Sequence, residues 1–488
     1  MGLRPSQQIE AKKPPTRGIV TQASGAGAPG IEVVAEARAL GLAKDLRQRH
    51  VAMISIGGII GAGLFVGSSS GIATAGPAIV VSYLMAGVVV LLVMRMLGEM
   101  AAAFPETGSF TEYARLGLGN WAGFTAGWLY WYFWVVVVAI EALAGASLLH
   151  RWIGLEVWVL GLGLLALMMA TNLWSARSYG EFEFWFSSIK VAAIVAFILA
   201  TGIYVIAHAP GSAGRFANLT AHGGFAPFGA LSVLGGVTSV VFALCGAEIA
   251  TIAAAESAEP GRAIARMTSQ VVVRILLFYV ISLFLIVTVV PWTAIHPGDS
   301  PFAMALERLG IPGTALIMNA IVLTAVLSCL NSGLYVTSRV LFTLAAKGDA
   351  PAALVKLNRR KVPVRAILIA AGFGVAAMAA SVISPQLVFA FLINASGALM
   401  LIIYLIVALA QIRLRRRLEA EASPRLTIRM WLFPWGSWLT VAGIVAILAA
   451  MALTASLRAQ LLSSLAVAAL ALGAYLGLRR RGAGTIAG

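Results

Sequence analysis

Hydrophobic residues occur along this chain in long uninterrupted runs, separated by short segments that carry most of the charges. A helix needs roughly 20 consecutive apolar residues to cross the hydrocarbon core of a bilayer. The runs are continuous rather than alternating with period two, so they indicate helices and not the strands of a membrane barrel. The sequence therefore predicts an all-α membrane protein with twelve spans, near residues 51–70, 76–98, 121–148, 154–174, 183–207, 229–254, 268–292, 313–344, 364–383, 386–411, 432–455 and 459–478.

The composition supports this class. Of the 488 residues, 60% are hydrophobic and 11% are charged, and the mean hydropathy is +0.92. A soluble chain carries about 25% charged residues, which are needed to cover its surface. Two cysteines are too few for a secreted disulfide scaffold.

The positions of the basic residues predict the topology. The 35 Lys and Arg residues outnumber the 19 acidic ones, and a net charge of +16 could also indicate nucleic-acid binding. If the N-terminus is cytoplasmic, however, 27 of the basic residues fall on the cytoplasmic side and four on the other. This asymmetry follows the positive-inside rule. It predicts a multi-pass protein of the cell inner membrane with both termini in the cytoplasm, and no nucleic-acid partner.

Four regions are expected along the chain. Residues 1–45 contain no apolar run, so they cannot serve as a signal peptide. They are predicted to be a disordered cytoplasmic tail. Residues 46–411 would form a transport core of ten spans. Residues 412–480 would add spans 11 and 12, and 481–488 a short C-terminal tail.

Two spans contain signals for a break in the helix. Span 6 has Gly246 and Glu248 near its middle. Span 1 reads SIGGIIGAGLFVGSSSG, with Gly57, Gly58, Gly61, Gly63 and Gly67. Such glycines can serve close helix packing, or they can mark unwound backbone that lines a cavity. Breaks in the first and sixth spans occupy corresponding positions of a five-plus-five arrangement, which predicts an inverted-repeat transporter with discontinuous helices 1 and 6.

Paired breaks of this kind suit a zwitterionic ligand. Free N–H groups at the start of a half-helix bind a carboxylate, whereas unwound carbonyls accept hydrogen bonds from an ammonium. The expected ligand is thus a small-molecule amino acid. We predict that it contacts the backbone of Ile59, Gly61, Ala62, Gly63, Phe242, Ala243, Cys245 and Gly246.

Ionisable residues inside a membrane are costly, so each is a candidate for function. Glu248, beside the span 6 break, is predicted to gate the site or carry a proton, with a structural ion pair as the alternative. Glu141 in span 3 either lines the permeation route or closes a structural pair. Lys190 in span 5 either snorkels to the interface or reaches the broken part of span 1 and span 8, at Ser328 and Ser332.

Other side chains give weaker signals. Trp134 in the span 3 segment GWLYWYFW belongs either to an interfacial aromatic belt or to a gate over the substrate. The two cysteines are too few for a metal site. No nucleophile–base constellation appears within the spans, so we expect neither an enzyme nor a cofactor other than a coupled proton.

Several segments resemble the bacterial amino acid permeases of the amino acid–polyamine–organocation superfamily. They are SIGGIIGAGLFVGSSSGIATAGPA, RMLGEMAAAFPETGSF, GWLYWYFW, YGEFEFWFSSIK, GAEIATIAAAES, SCLNSGLYVTSR and RMWLFPW, between about residues 45 and 440. EFEFWFSSIKVAAI and AEIATIAAAES are most similar to 4-aminobutyrate permeases.

The resemblance implies a LeuT-like fold and a proton-coupled symporter that imports an amino acid by alternating access. It implies carboxylate binding by Gly61, Ala62 and Gly63, an aromatic gate at Phe242, gating or proton coupling by Glu248, and Lys190 in the cation pocket. It also implicates residues 329–361 in transport. The chain has Ala62 where similar 4-aminobutyrate permeases have Ser, which removes a possible hydroxyl contact.

The predicted function is therefore proton-driven uptake of 4-aminobutyrate or a related amino acid. A permease for proline, an aromatic or another neutral amino acid is an alternative, because backbone contacts recognise only the shared ammonium and carboxylate. An amino acid sensor that does not transport is an alternative from a different class, although the 45-residue tail is too short for a signalling domain. No obligate protein partner is evident from the sequence.

Overall fold

A computed structural model describes residues 60–104, 110–174, 176–207, 216–246, 248, 275–358 and 362–484. Within these residues the regular structure is helical. The α-helices are α1 Ala62–Phe65, α2 Ser68–Ala75, α3 Ile79–Ala103, α4 Phe110–Leu118, α5 Asn120–Ile153, α6 Val157–Trp174, α7 Ala176–Ala207, α8 Gly229–Leu244, α9 Ile281–Val289, α10 Pro301–Arg308, α11 Thr314–Ala346, α12 Val364–Ser381, α13 Pro385–Ala420, α14 Trp435–Leu453 and α15 Arg458–Gly484.

The described part of each predicted span contains a helix. Eight helical stretches within the described ranges are long and apolar enough to cross a membrane, and three shorter apolar helices accompany them. The protein is therefore a multi-pass helical membrane protein. The total of twelve spans and the inverted repeat remain predictions. The tail expected at 1–45 lies outside the described residues.

Span 1 is not one continuous helix in its described part. There the four-residue helix α1 is followed, after Val66 and Gly67, by the helix α2. Gly61 precedes α1 in an extended conformation. In span 6, α8 ends at Leu244, and Gly246 follows with a φ of +105°, in the left-handed region that favours glycine. The described backbone thus leaves a regular helix after Phe65 and after Leu244, while discontinuous helices 1 and 6 remain a prediction, because residues 51–59 and 249–274 lie outside the described ranges.

Helix α5 is the most buried of the candidate spans and forms the centre of the molecule. It packs against α11 and α13, and α4 and α6 also contact it. Side chains of α5 therefore contact neighbours over most of the membrane thickness. In contrast, α15 lies at the periphery, and most of its surface faces outward.

Helix α13 is longer than predicted. Its apolar run ends near 411, but the helix continues to Ala420 through the expected boundary of the transport core. The extension is stabilised by Arg415, which donates to Glu99 of α3 at 2.7 Å and to Glu419 at 2.7 Å. Arg95, one turn before Glu99 on the same helix, instead donates to the carbonyl of Arg429 and lies over the Trp431 ring. Arg415 reaches Glu99 because α13 packs alongside α3 here.

Candidate functional site

The two helix breaks meet at the centre of the molecule. A Cβ atom added to Gly63 would lie 2.7 Å from the Cα atom of Ala243, and one added to Gly61 would lie 2.6 Å from the sulfur of Cys329. Real Cβ atoms do not approach other atoms so closely. Glycine at these two positions therefore allows α1 to approach the end of α8 on one side and α11 on the other.

A small cavity lies between these elements. Its volume is about 20 Å³, enough for roughly one water molecule. Because an amino acid is larger, its walls must move apart before such a ligand can bind. Five of the predicted substrate contacts and the predicted gate Trp134 line it, in a set comprising Gly61, Gly63, Phe133, Trp134, Val137, Phe242, Ala243, Cys245 and Cys329.

Glu141 caps the start of α1. The Ala62 backbone N–H donates to both carboxylate oxygens of Glu141, each at 3.2 Å. Glu141 is almost completely buried. One backbone donor predicted to bind a substrate carboxylate is thus bound to a carboxylate of the protein itself. Glu141 therefore makes a structural contact, and this contact lies within the predicted substrate site.

Glu248 makes the corresponding contact at the second break. Its two carboxylate oxygens accept from the backbone N–H of Gly246 at 3.1 and 3.0 Å. The Tyr130 hydroxyl of α5 donates to Glu248 at 3.2 Å. Tyr130 also makes an edge-to-face contact with Trp134, with ring centroids 6.2 Å apart. A buried carboxylate therefore lies beside each break, and α5 connects the two.

Lys190 lies inside the protein. Its side chain is fully buried, so it does not snorkel to the membrane surface. Its ammonium donates to the carbonyl of Ile60 at 3.0 Å and to the Ser328 hydroxyl at 2.8 Å. The predicted approach of Lys190 to spans 1 and 8 is therefore present. Ile59, predicted to offer a carbonyl to the ligand, lies outside the described residues.

Sequence reasoning missed several polar groups near the centre. The Tyr404 hydroxyl of α13 and the indole N–H of Trp134 are buried, and neither makes a hydrogen bond of good geometry within the described ranges. A buried polar group without a partner costs free energy, so both are candidates to bind a ligand or a water molecule. Nothing in the sequence separated Tyr404 from an ordinary interfacial tyrosine.

A second polar cluster connects α6 to α11. The Asn331 side-chain oxygen accepts from Thr171 at 3.1 Å and from Asn172 at 2.7 Å. Asn331 closely follows Ser328 and Cys329 on α11, and these two residues contact the site. No sequence pattern predicted this cluster, because its members are about 160 residues apart. Its hydrogen bonds connect α6 to the part of α11 beside the site.

Interrupted helices, a buried carboxylate beside each of them and a small central cavity between them are typical of one class, the multi-pass membrane transport proteins. Comparison with known sequences specifies the family. The profile described as "Amino acid permease" matches residues 50–481. The chain therefore belongs to the amino acid permease family, and it is a transport protein rather than an enzyme.

Individual relatives cover most of the chain. It is 48% identical to a gamma-aminobutyric acid permease of Bacillus subtilis, covering 90% of this chain and 94% of the relative. It is 44% identical to the gamma-aminobutyric acid permease of Escherichia coli, covering 87% and 91%. An aromatic amino acid transport protein of Corynebacterium glutamicum is 39% identical, covering 87% and 92%. The resemblance to 4-aminobutyrate permeases is thus confirmed.

Proposed function

We propose that this protein imports 4-aminobutyrate across the cell inner membrane by proton symport and alternating access. The observation that carries the proposal is the paired arrangement at the breaks, where Ala62 N–H contacts Glu141 and Gly246 N–H contacts Glu248. Relatives named as gamma-aminobutyric acid permeases, at 44–48% identity, support the choice of substrate.

The substrate carboxylate would bind the backbone at the start of α1. Glu141 is a carboxylate on this donor already, so an incoming carboxylate must displace it or share the site with it. Two carboxylates so close repel each other unless one is protonated. Binding of the substrate is thereby coupled to movement or protonation of Glu141.

The substrate ammonium would bind at the end of α8. The last carbonyls of a helix have no partner within that helix, and they carry the negative end of its dipole. Phe242 and Cys245 lie at this end and line the cavity. An ammonium in the cavity would therefore find acceptors there, while Trp134 and Phe242 would separate in order to admit it.

Glu248 would carry the coupled proton. It is buried, and its observed donors are a backbone amide and a phenol. Opening the site to either side of the membrane would expose this carboxylate to water, where it can gain or lose a proton. Lys190 places a fixed ammonium between α1 and α11, which makes a sodium ion unnecessary there.

A second candidate is a permease for aromatic amino acids. The 39% identical aromatic amino acid transport protein favours it, and so does the aromatic lining formed by Phe133, Trp134 and Phe242. Competition for counterflow in proteoliposomes separates the two. We expect unlabelled 4-aminobutyrate, but not phenylalanine or proline, to suppress exchange of labelled 4-aminobutyrate. Suppression by phenylalanine alone, or no exchange of 4-aminobutyrate, would overturn the substrate assignment.

A further inference from the structure

A groove that shares no lining residue with the central cavity opens on the outer surface of the helix bundle. It lies between α5, the loop after α11 and α15, and has a volume of about 510 Å³. This volume lies within the range of small-molecule sites. The α15 wall consists of Val467, Leu470, Ala471, Ala474 and Leu478, which recur with helical spacing on one face.

The opposite wall is aromatic and firmly held. Trp128 of α5 donates its indole N–H to the carbonyl of Asp349 at 3.0 Å, which joins α5 to the loop after α11. Trp131, one turn further along α5, lines the groove and is only 6% exposed. Its indole nitrogen is buried, so the surface that this wall presents to the groove is apolar.

Basic residues follow the groove at one end. Leu478 lines it, and the next three residues in sequence are Arg479, Arg480 and Arg481. Arg479 is exposed. The acid at this end, Asp349, is already paired with Arg115. The apolar groove therefore ends beside positive charge, at the side that the positive-inside rule assigns to the cytoplasm.

We infer that this groove binds an anionic phospholipid of the cytoplasmic leaflet. An acyl chain would lie against the α15 face and the rings of Trp128 and Trp131. The phosphate would lie near Arg479, at the end of the groove where Leu478 lines it. Juxtamembrane arginines attract anionic lipid in this way. Charge complementarity favours this occupant over a second copy of the chain, whose own basic residues at this level would repel it.

The test uses the full-length protein, purified and delipidated in detergent. Dioleoylphosphatidylglycerol or dioleoylphosphatidylcholine is added in the same micelles, and bound lipid is counted by native mass spectrometry. We expect tighter binding of the phosphatidylglycerol. Changing Arg479, Arg480 and Arg481 to Gln should weaken its binding by about fivefold per arginine, whereas Arg458→Gln, at the other end of α15, should not. Equal binding of the two lipids by the unaltered protein would overturn the inference.

Substitution of the groove itself locates the site. Ala471→Trp fills the groove, and Ala469→Trp is its matched control, because Ala469 is exposed on α15 but does not line the groove. We expect only Ala471→Trp to abolish binding of the phosphatidylglycerol. If both variants bind it alike, the groove is not the site. If Ala471→Trp instead converts a dimer to a monomer, measured by light scattering, the occupant is a second copy and the lipid inference is wrong.

Discussion

Glu141 and Ala62 are 79 residues apart in sequence, yet both carboxylate oxygens of Glu141 lie 3.2 Å from the Ala62 backbone nitrogen. This contact joins the centre of α5 to the start of α1. It places a carboxylate of the protein on the group that we expect to bind the substrate carboxylate. Substrate binding and the position of Glu141 are therefore linked.

The first prediction follows from this link. Glu141→Gln removes the competing negative charge, so we expect a lower KM for 4-aminobutyrate together with a lower maximal rate. A hydrogen bond to a charged group contributes about 1.5–3 kcal/mol, so a change of roughly tenfold or more in KM is expected. Initial uptake rates in proteoliposomes over a range of substrate concentrations measure both constants. A raised KM at an unchanged maximal rate would instead mean that Glu141 attracts the substrate.

The second prediction concerns the proton. Glu248→Gln keeps an acceptor for the Gly246 N–H but cannot take up and release a proton. We expect accumulation of 4-aminobutyrate under a proton gradient to be lost, while exchange without a gradient continues. Glu307→Gln on α10 is the matched control, because Glu307 is exposed and far along the chain from both breaks. An unchanged gradient response in Glu248→Gln would restore the structural interpretation of this residue.

The third prediction tests the close approach of the breaks. Gly63→Ala would place a methyl group 2.7 Å from the Cα atom of Ala243, a backbone atom that cannot yield easily. We expect a loss of stability of about 1–3 kcal/mol, and uptake should fall sharply. In Gly163→Ala on α6, the new methyl group meets nothing within 4 Å, so stability should be unchanged or rise by up to about 1 kcal/mol. Thermal unfolding in detergent and uptake measure these effects, and equal behaviour of the two variants would contradict the account.

The fourth prediction concerns the charge network around Glu112, which lies next to the groove between α5 and α15. The Glu112 carboxylate of α4 pairs with Lys347 and Arg115. Burial of Glu112 disfavours its charge, but the nearby Lys347 and Arg115 outweigh burial and hold the pKa of the carboxyl below its ordinary value of 4.5. The stabilisation by Glu112 is therefore present at neutral pH and lost only as the pH falls through this lowered pKa.

Glu112→Gln removes the carboxylate that pairs with the partly buried Lys347, whereas Arg115 keeps its second partner, Asp349. We expect it to cost about 2 kcal/mol at pH 7, between the values for surface and buried pairs. Glu421→Gln, which breaks the exposed pair with Arg417, should cost almost nothing. Thermal unfolding at pH 7 compares the two variants. Equal midpoints would show that the Glu112 network does not stabilise the fold.

The sequence was most informative where one property repeats along the chain. Apolar runs predicted the helices, and the glycines of spans 1 and 6 predicted where the described backbone leaves a regular helix. The approach of Lys190 to Ser328 was also predicted, since a buried cation requires polar partners. These inferences depend on local composition and on the cost of burying charge.

Contacts between distant segments could not be predicted in this way. Glu99 pairs with Arg415, 316 residues away, rather than with Arg95 one turn away, because tertiary packing decides which arginine is adjacent. The same pair keeps α13 helical beyond its apolar run. Tyr130 and Tyr404 were missed because a tyrosine among many aromatic residues carries no sequence signal for its hydroxyl partner.

The central claim is that an inward proton gradient drives accumulation of 4-aminobutyrate by this protein. The direct measurement is uptake of labelled 4-aminobutyrate into sodium-free proteoliposomes, with and without an imposed gradient that is acidic outside. We expect accumulation above the external concentration only with the gradient, and a protonophore should collapse it. Sodium should not stimulate uptake, because the ammonium of Lys190 already lies between α1 and α11. Accumulation that requires sodium, or uptake that never exceeds the external concentration under the gradient, would contradict proton symport.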